Sequence, residues 1–179
     1  VNVSARQFKQ AGFVKQVRAV IDTYGIDPGR LKLEITESML VEDLEDIVAK
    51  MSALKRLGVT FSLDDFGTGY SSLAYVKRLP LDQLKIDQSF VRDVLTDTND
   101  AVICRAVIGL GRSLGLSTLA EGVETEPQRA FLLAEGCDGA QGDLYAKPMP
   151  AGELFAWLRH RCDAASSSGN DRYYVATGT

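Results

Sequence analysis

Short apolar segments and helical patterns alternate six times along this chain. The first five segments contain large or β-branched apolar residues, the sixth is DGAQG, and each is followed by apolar residues at helical spacing. The first helical pattern runs from Phe8 to Tyr24 with Val20 on its apolar face, and the fifth opens with a capping box from Thr125 to Gln128. The six predicted strands are 1–3, 31–36, 59–63, 82–86, 116–120 and 138–142. Such alternation is typical of an α/β fold with a parallel sheet.

Each predicted strand contributes one candidate site residue, which lies within it or at its end. These residues are Asn2, Glu34, Asp64, Lys85, Glu121 and Gln141. Because the carboxyl ends of parallel strands face the same way, we expect the six side chains to converge on one rim of the sheet. Any single one has an ordinary structural explanation, such as a lysine that protects an edge strand. Six in succession favour a functional site.

The densest group of chemical signals lies in residues 59–72, VTFSLDDFGTGYSS. Asp64 and Asp65 are adjacent where the predicted strand ends, and Gly67 and Gly69 let the backbone turn closely around whatever lies there. Adjacent carboxylates repel each other, and a bound cation relieves that repulsion. A solvated acidic turn would explain an isolated Asp-Asp pair, but it does not explain the recurrence of polar residues at the other strand ends.

Composition narrows the functions open to such a fold. With 45% apolar and 25% charged residues, the chain is ordinary for one globular domain, which we expect over residues 1–162, with a flexible Ser/Gly-rich tail over 163–179. The net charge of −4 argues against a broad surface for nucleic acid or anionic membrane. The predicted site contains no histidine or cysteine, and its carboxylate and amide oxygens favour Mg²⁺ or Mn²⁺ over zinc.

Several stretches match those of one protein family, in the same order. They are NVSARQF at 2–8, LEITES at 33–38, LDDFGTGYSS at 63–72, LKID at 84–87, AEGVET at 120–125, QG at 141–142 and KPMP at 147–150. Together they resemble the EAL-domain cyclic di-GMP phosphodiesterases of bacteria. The resemblance implies a TIM-like (β/α)8 barrel, of which this chain carries about six βα units. It also implies a cyclic-guanylate-specific phosphodiesterase that opens cyclic di-GMP to linear pGpG.

The resemblance further implies a metal site with two Mg²⁺ or Mn²⁺ ions. Asn2, Glu34 and Asp64 match metal ligands of the family, and Asp65 matches the residue that serves the second metal. Two such ions about 3.5–4 Å apart would activate a water molecule and neutralise charge that develops on the phosphoryl group.

Four residues match family positions that act on the substrate or support the site. Lys85, Glu121 and Gln141 match the catalytic and substrate-binding residues near the attacking water, the phosphate and the metals. Glu37 matches the glutamate that anchors the DFGTGYSS loop. Family members often dimerise near this loop, so a homodimer is among the expected partners, together with cyclic di-GMP and attached signalling domains. We expect no nucleic acid polymer, no membrane contact from this segment and a cytoplasmic location.

The sequence departs from the family pattern at two places. The Glu-Ala-Leu motif and the two strands that would precede Val1 are absent, so we expect a longer protein, and little activity and stability from these residues alone. Asp143 stands where the family usually has an aromatic residue, and it adds negative charge near the ligand unless it points outward.

Three other interpretations remain open. The domain could be an EAL-type receptor that binds cyclic di-GMP without cleaving it. The absence of the Glu-Ala-Leu motif, whose glutamate is a metal ligand in the family, is consistent with this alternative. An enolase-like barrel would use Lys85 as a base with one Mg²⁺, although it has less use for the Asp64–Asp65 pair. The third alternative is an inert fragment.

Overall fold

The centre of the computed structural model, which describes residues 1–41, 43–67 and 73–165, is a sheet of five parallel strands. The strands follow one another across the sheet in chain order. They are Lys32–Thr36 (β1), Thr60–Phe66 (β2), Gln83–Ile86 (β3), Ser117–Ala120 (β4) and Gly139–Ala140 (β5). Each neighbouring pair is parallel, which confirms the predicted α/β class.

The first predicted strand is present as a bridge on the outer edge of β1. Asn2 pairs in parallel with Glu34. The Val3 amide donates to the Glu34 carbonyl at 2.9 Å, and the Glu34 amide donates to the Val1 carbonyl at 2.9 Å. All six predicted segments therefore lie side by side in chain order, although only five are continuous strands.

Helices connect the strands, as a parallel sheet requires. They are Ala5–Phe8 (α1), Phe13–Tyr24 (α2), Leu44–Lys55 (α3), Leu73–Val76 (α4), Gln88–Arg92 (α5), Thr98–Leu114 (α6), Glu126–Glu135 (α7) and Ala151–Ala165 (α8). Short 3-10 turns cover Pro28–Arg30 and Glu37–Val41. The capping box of α7 is confirmed, because the Thr125 hydroxyl accepts from the Gln128 amide and the Gln128 side chain accepts from the Thr125 amide.

The first helical segment differs from the prediction. It is two helices, because α1 ends at Phe8 and α2 begins at Phe13, and the rings of these two residues pack 5.0 Å apart across the break. Val20 and Tyr24 were expected on a buried face but are 47% and 76% exposed. Helix α2 buries Phe13 and Ile21 and packs Val14 and Val17 partly against the core, whereas Val20 and Tyr24 lie outside that contact.

The main core lies between the sheet and its helices. Alternate side chains of the strands, such as Leu33 and Ile35 of β1, are buried there, together with Met51 and Leu54 of α3. Among the described residues, no helix combines the length and apolar character needed to cross a membrane. Helix α8 continues to Ala165 and so includes the first three residues of the tail predicted over 163–179. The rest of that tail lies outside the described residues, as does Gly69.

Candidate active site at the ends of the strands

Alternation along the strands selects which side chains form the site. Leu33 and Ile35 are buried in the core, and therefore Glu34 between them lies on the opposite face of the sheet. Lys85 has the same relation to Leu84 and Ile86 on β3. The sheet thus has a second face that is polar near the carboxyl ends of its strands.

Lys85 is the centre of this polar face. Its ammonium nitrogen lies 3.0 Å from Glu34 Oε2, 2.9 Å from Asp64 Oδ1 and 2.6 Å from Glu121 Oε1, and its side chain is only 4% exposed. Burial alone lowers the pKa of Lys85, but the hydrogen bonds to these three carboxylates outweigh it and raise the pKa above its ordinary value. Lys85 is therefore protonated at neutral pH. This argues against the enolase-like alternative, in which Lys85 would act as a base.

Gln141 extends the cluster from the end of β5. Its Nε2 donates to Glu121 Oε1 at 2.7 Å, while its Oε1 is buried and has no hydrogen-bond partner among the described residues. Burial raises the pKa of Glu121, and the contact with Lys85 opposes this rise. A buried oxygen without a donor is costly, so Gln141 Oε1 is suited to accept a hydrogen bond from a water molecule or a ligand.

A bulge in β2 explains how two consecutive aspartates reach one site. Leu63 pairs with Leu84 and Phe66 pairs with Ile86, so Asp64 and Asp65 together oppose one residue of β3. Asp65 has a positive φ of 55°, which is uncommon for a residue other than glycine. In a regular strand the two carboxylates would point to opposite faces. Here ligand oxygens of Asp64, Asp65 and Glu121 all lie within 4.8 Å of one another.

The surroundings of the Asp65 carboxylate disfavour its charged form. Burial, followed by repulsion from Asp64 and Asp87, raises the pKa of Asp65. Asp87 was not among the predicted site residues. It caps α5 by accepting from the Ser89 amide at 2.8 Å. Its position directly after β3, two residues after Lys85, is the signal that could have identified it.

Glu37 connects the ends of two strands. It follows β1 directly and is 5% exposed, and its Oε2 accepts from the Gly67 amide, just after β2, at 3.1 Å. This contact is at the start of the segment that Glu37 was predicted to anchor. Residues 68–72 of that segment lie outside the described residues.

The last two predicted positions lie at the edges of the site. Asn2 is exposed and reaches it through its backbone pairing with Glu34. The Asp143 carboxylate lies 4.0 Å from the Lys147 ammonium at the surface, and about half of its side chain is exposed. The structure thus brings Glu34, Asp64, Lys85, Glu121 and Gln141 into one connected cluster with Asp65 beside it.

The donor set fits a hard divalent cation. Three carboxylates converge at Asp64, Asp65 and Glu121, and burial together with repulsion from Asp64 and Asp87 raises the pKa of Asp65, so a cation there would offset an unfavourable charge. Carboxylate oxygens are the ligands that Mg²⁺ and Mn²⁺ prefer.

Comparison with known proteins agrees with this geometry. A family model described as "EAL domain" matches residues 1–148. The chain is 47% identical over 156 residues to the bifunctional diguanylate cyclase/cyclic di-GMP phosphodiesterase MucR of Pseudomonas aeruginosa, covering 87% of this chain and 23% of MucR. It is 43% identical over 166 residues to the cyclic di-GMP phosphodiesterase NbdA of the same species, covering 92% of this chain and 21% of NbdA.

The chain is also similar to solved structures of EAL proteins. The PaMucR phosphodiesterase in complex with c-di-GMP superimposes with a TM-score of 0.83 at 47% identity, covering 86% of this chain and 62% of that one. Klebsiella pneumoniae BlrP1, in a manganese/cy-diGMP complex, has a TM-score of 0.75 at 27% identity, covering 82% and 38%. The chain belongs to the EAL domain family, whose fold is a TIM-like barrel. It spans about a fifth to a quarter of the length of the curated relatives named above.

Proposed function

We propose that this domain hydrolyses cyclic di-GMP to linear pGpG by metal-assisted attack of water on a phosphodiester. The observation that carries the proposal is the carboxylate cluster around Lys85, with the bulge that turns Asp65 toward it, on an EAL fold. The names of MucR and NbdA, and the cyclic di-GMP bound to relatives in solved structures, support this substrate. The manganese in the BlrP1 complex supports a divalent ion.

The residues that would hold two Mg²⁺ or Mn²⁺ ions are Glu34, Asp64 and Asp65, with Asn2 at the edge and Glu121 close by. When bound, such ions lower the pKa of a water molecule and neutralise charge on the phosphoryl oxygens. The bulge sets the direction of Asp64 and Asp65. Glu37 fixes the backbone that follows them.

The remaining polar residues would handle substrate and proton. Lys85 supplies a fixed positive charge for a phosphate, and it holds the Glu121 carboxylate in place. Glu121, whose pKa is raised by burial, is suited to accept a proton from the attacking water. Gln141 orients Glu121 through its amide and offers its buried Oε1 to that water.

The wider context is part of the same proposal. We place the domain in the cytoplasm, as a part of a larger signalling protein like the relatives it matches, with homodimerisation as one mode of assembly. Cyclic di-GMP is the proposed small-molecule partner.

The test is an assay of pGpG release by chromatography, with Mg²⁺ or Mn²⁺ and with EDTA. It is run on the 179-residue chain and on a chimera in which the strands that precede the same position in MucR are joined to Val1. We expect metal-dependent release, stronger in the chimera. Tight binding of cyclic di-GMP by the chimera without any release would instead favour the receptor alternative.

A further inference from the structure

The contacts of Lys85 are those of a bound cation. Its ammonium group has three N–H donors, and it lies within 3.0 Å of an oxygen on each of three carboxylates from three different elements: Glu34 on β1, Asp64 on β2 and Glu121 just after β4. These carboxylates have side chains that are 13–18% exposed. Without a positive charge between them, they would repel one another in a partly desolvated place.

Two of these carboxylates, Glu34 and Asp64, are proposed to hold divalent ions, and Glu121 lies close by. A divalent ion bound to Glu34 and Asp64 would therefore share its ligands with Lys85 and would lie close to the ammonium group, which is 3.0 Å from Glu34 Oε2 and 2.9 Å from Asp64 Oδ1. Like charges at such a distance, away from bulk water, repel strongly. Lys85 thus balances the charge of the carboxylates when no metal is bound, and its positive charge repels a metal ion that binds to them.

We propose that Lys85 is an internal counter-cation that holds the metal-free site together and lowers its affinity for divalent ions. The inference rests on the proposed function only in that these carboxylates bind such ions. It predicts two opposite effects when the charge is removed. The metal-free protein loses stability, because three carboxylates lose their shared partner. The affinity for Mn²⁺ rises, because the competing charge is gone.

Other roles predict different results. A lysine that only contacts the substrate would leave Mn²⁺ affinity unchanged. A lysine that helps to build the metal site would weaken Mn²⁺ binding when it is removed. Of these roles, only a competing cation predicts that removal of Lys85 lowers the stability of the metal-free protein and also tightens Mn²⁺ binding.

The experiment compares wild type, Lys85→Met and Lys85→Arg by calorimetric titration with Mn²⁺ alone, at about pH 8, where carboxylates are ionised. Methionine keeps an unbranched chain without the charge, and arginine keeps the charge. We expect Lys85→Met to bind the first Mn²⁺ about tenfold or more tightly than wild type, and Lys85→Arg to bind it no more tightly. Thermal unfolding should show Lys85→Met below wild type in EDTA, with the difference shrinking or reversing at saturating Mn²⁺.

Lys55→Met is the matched control. Lys55 pairs with Asp82 at 2.5 Å just before β3, at the opposite end of that strand, and both side chains are 32% exposed. This variant loses an ion pair without touching the site, so its Mn²⁺ affinity should equal that of wild type. Equal or weaker binding by Lys85→Met would overturn the inference.

A spectroscopic measurement on wild type covers the case in which Lys85→Met fails to fold. A ¹⁵N-labelled buried lysine ammonium bonded to three carboxylates should give a slowly exchanging signal in the metal-free protein, and Mg²⁺ should shift it. Absence of that signal, or a signal that Mg²⁺ leaves unmoved, contradicts the inference. If no variant binds Mn²⁺, this inference and the proposed metal site both fail. If wild type releases pGpG and Lys85→Met binds Mn²⁺ no more tightly, only this inference fails.

Discussion

Removal of the Glu37 carboxylate should loosen the site without altering any residue proposed to touch a metal. Glu37 is buried, and its Oε2 accepts from the Gly67 amide at 3.1 Å, which connects the end of β1 with the end of β2. In Glu37→Ala that amide loses a charged acceptor in a place with little access to water. A hydrogen bond to a charged group contributes about 1.5–3 kcal/mol, so we expect the free energy of unfolding to fall by about that amount.

Glu37→Ala should also bind metal ions more weakly than wild type. Gly67 lies two residues after Asp65, and its φ of 99° belongs to the turn that leaves the bulge. A less ordered turn raises the entropic cost of ordering Asp64 and Asp65 around an ion. We therefore expect Mn²⁺ affinity and unfolding free energy to fall together in Glu37→Ala. Urea unfolding and calorimetric titration measure the two quantities.

Two further variants separate the causes. Glu37→Gln retains an acceptor oxygen, so it should lose less than Glu37→Ala. Ser38→Ala is the neighbouring control, since the exposed Ser38 hydroxyl contacts Thr36 Oγ1 at 3.0 Å and does not reach Gly67. Loop anchoring by Glu37 is refuted if Glu37→Ala unfolds and binds Mn²⁺ as Ser38→Ala does.

Three other substitutions test separate parts of the account. Asp64→Asn should abolish pGpG release while leaving thermal unfolding in EDTA close to wild type, because a neutral amide cannot hold the ion; near wild-type release would contradict the role of Asp64. Asp65→Asn should stabilise the metal-free protein by less than about 1 kcal/mol at neutral pH, because the raised pKa of Asp65 means that its charged form costs stability. That cost disappears as pH falls through the folded pKa, so the gain should shrink in acid, and a gain that is constant with pH would contradict this cause. Gly142→Ala should lower the unfolding free energy by more than about 2 kcal/mol and should reduce pGpG release, because a Cβ there would lie 2.3 Å from the Val123 carbonyl oxygen and displace Gln141; unchanged unfolding would contradict it.

The features that the sequence predicted well are those with a local pattern. An apolar segment with one polar residue is enough to predict both a buried strand and the face on which Glu34 or Lys85 lies. The capping box at Thr125 is likewise a pattern within four residues. Parallel pairing then brings the polar residues together, because it aligns the carboxyl ends of the strands.

The features that it missed depend on contacts between distant segments. The bulge at Asp64 and Asp65 is a difference in register between β2 and β3, and no pattern within β2 reveals it. The proximity of Asp87 to Asp65 has the same origin. Val20 continues the apolar helical pattern, but whether such a face is covered depends on what packs against α2. The role of each site residue remains a prediction for the experiments above.

The most direct test of the central claim is hydrolysis in ¹⁸O-labelled water, followed by mass spectrometry of the product. Attack of water on one phosphodiester of cyclic di-GMP breaks one P–O bond, frees a ribose hydroxyl and adds the water oxygen to the phosphate that remains as the terminal phosphate of pGpG. The account expects pGpG carrying one ¹⁸O, formed with Mn²⁺ or Mg²⁺ and not with EDTA, by the chimera and not by its Asp64→Asn variant. Intact cyclic di-GMP after saturating binding in the presence of metal, or pGpG without ¹⁸O, would contradict it.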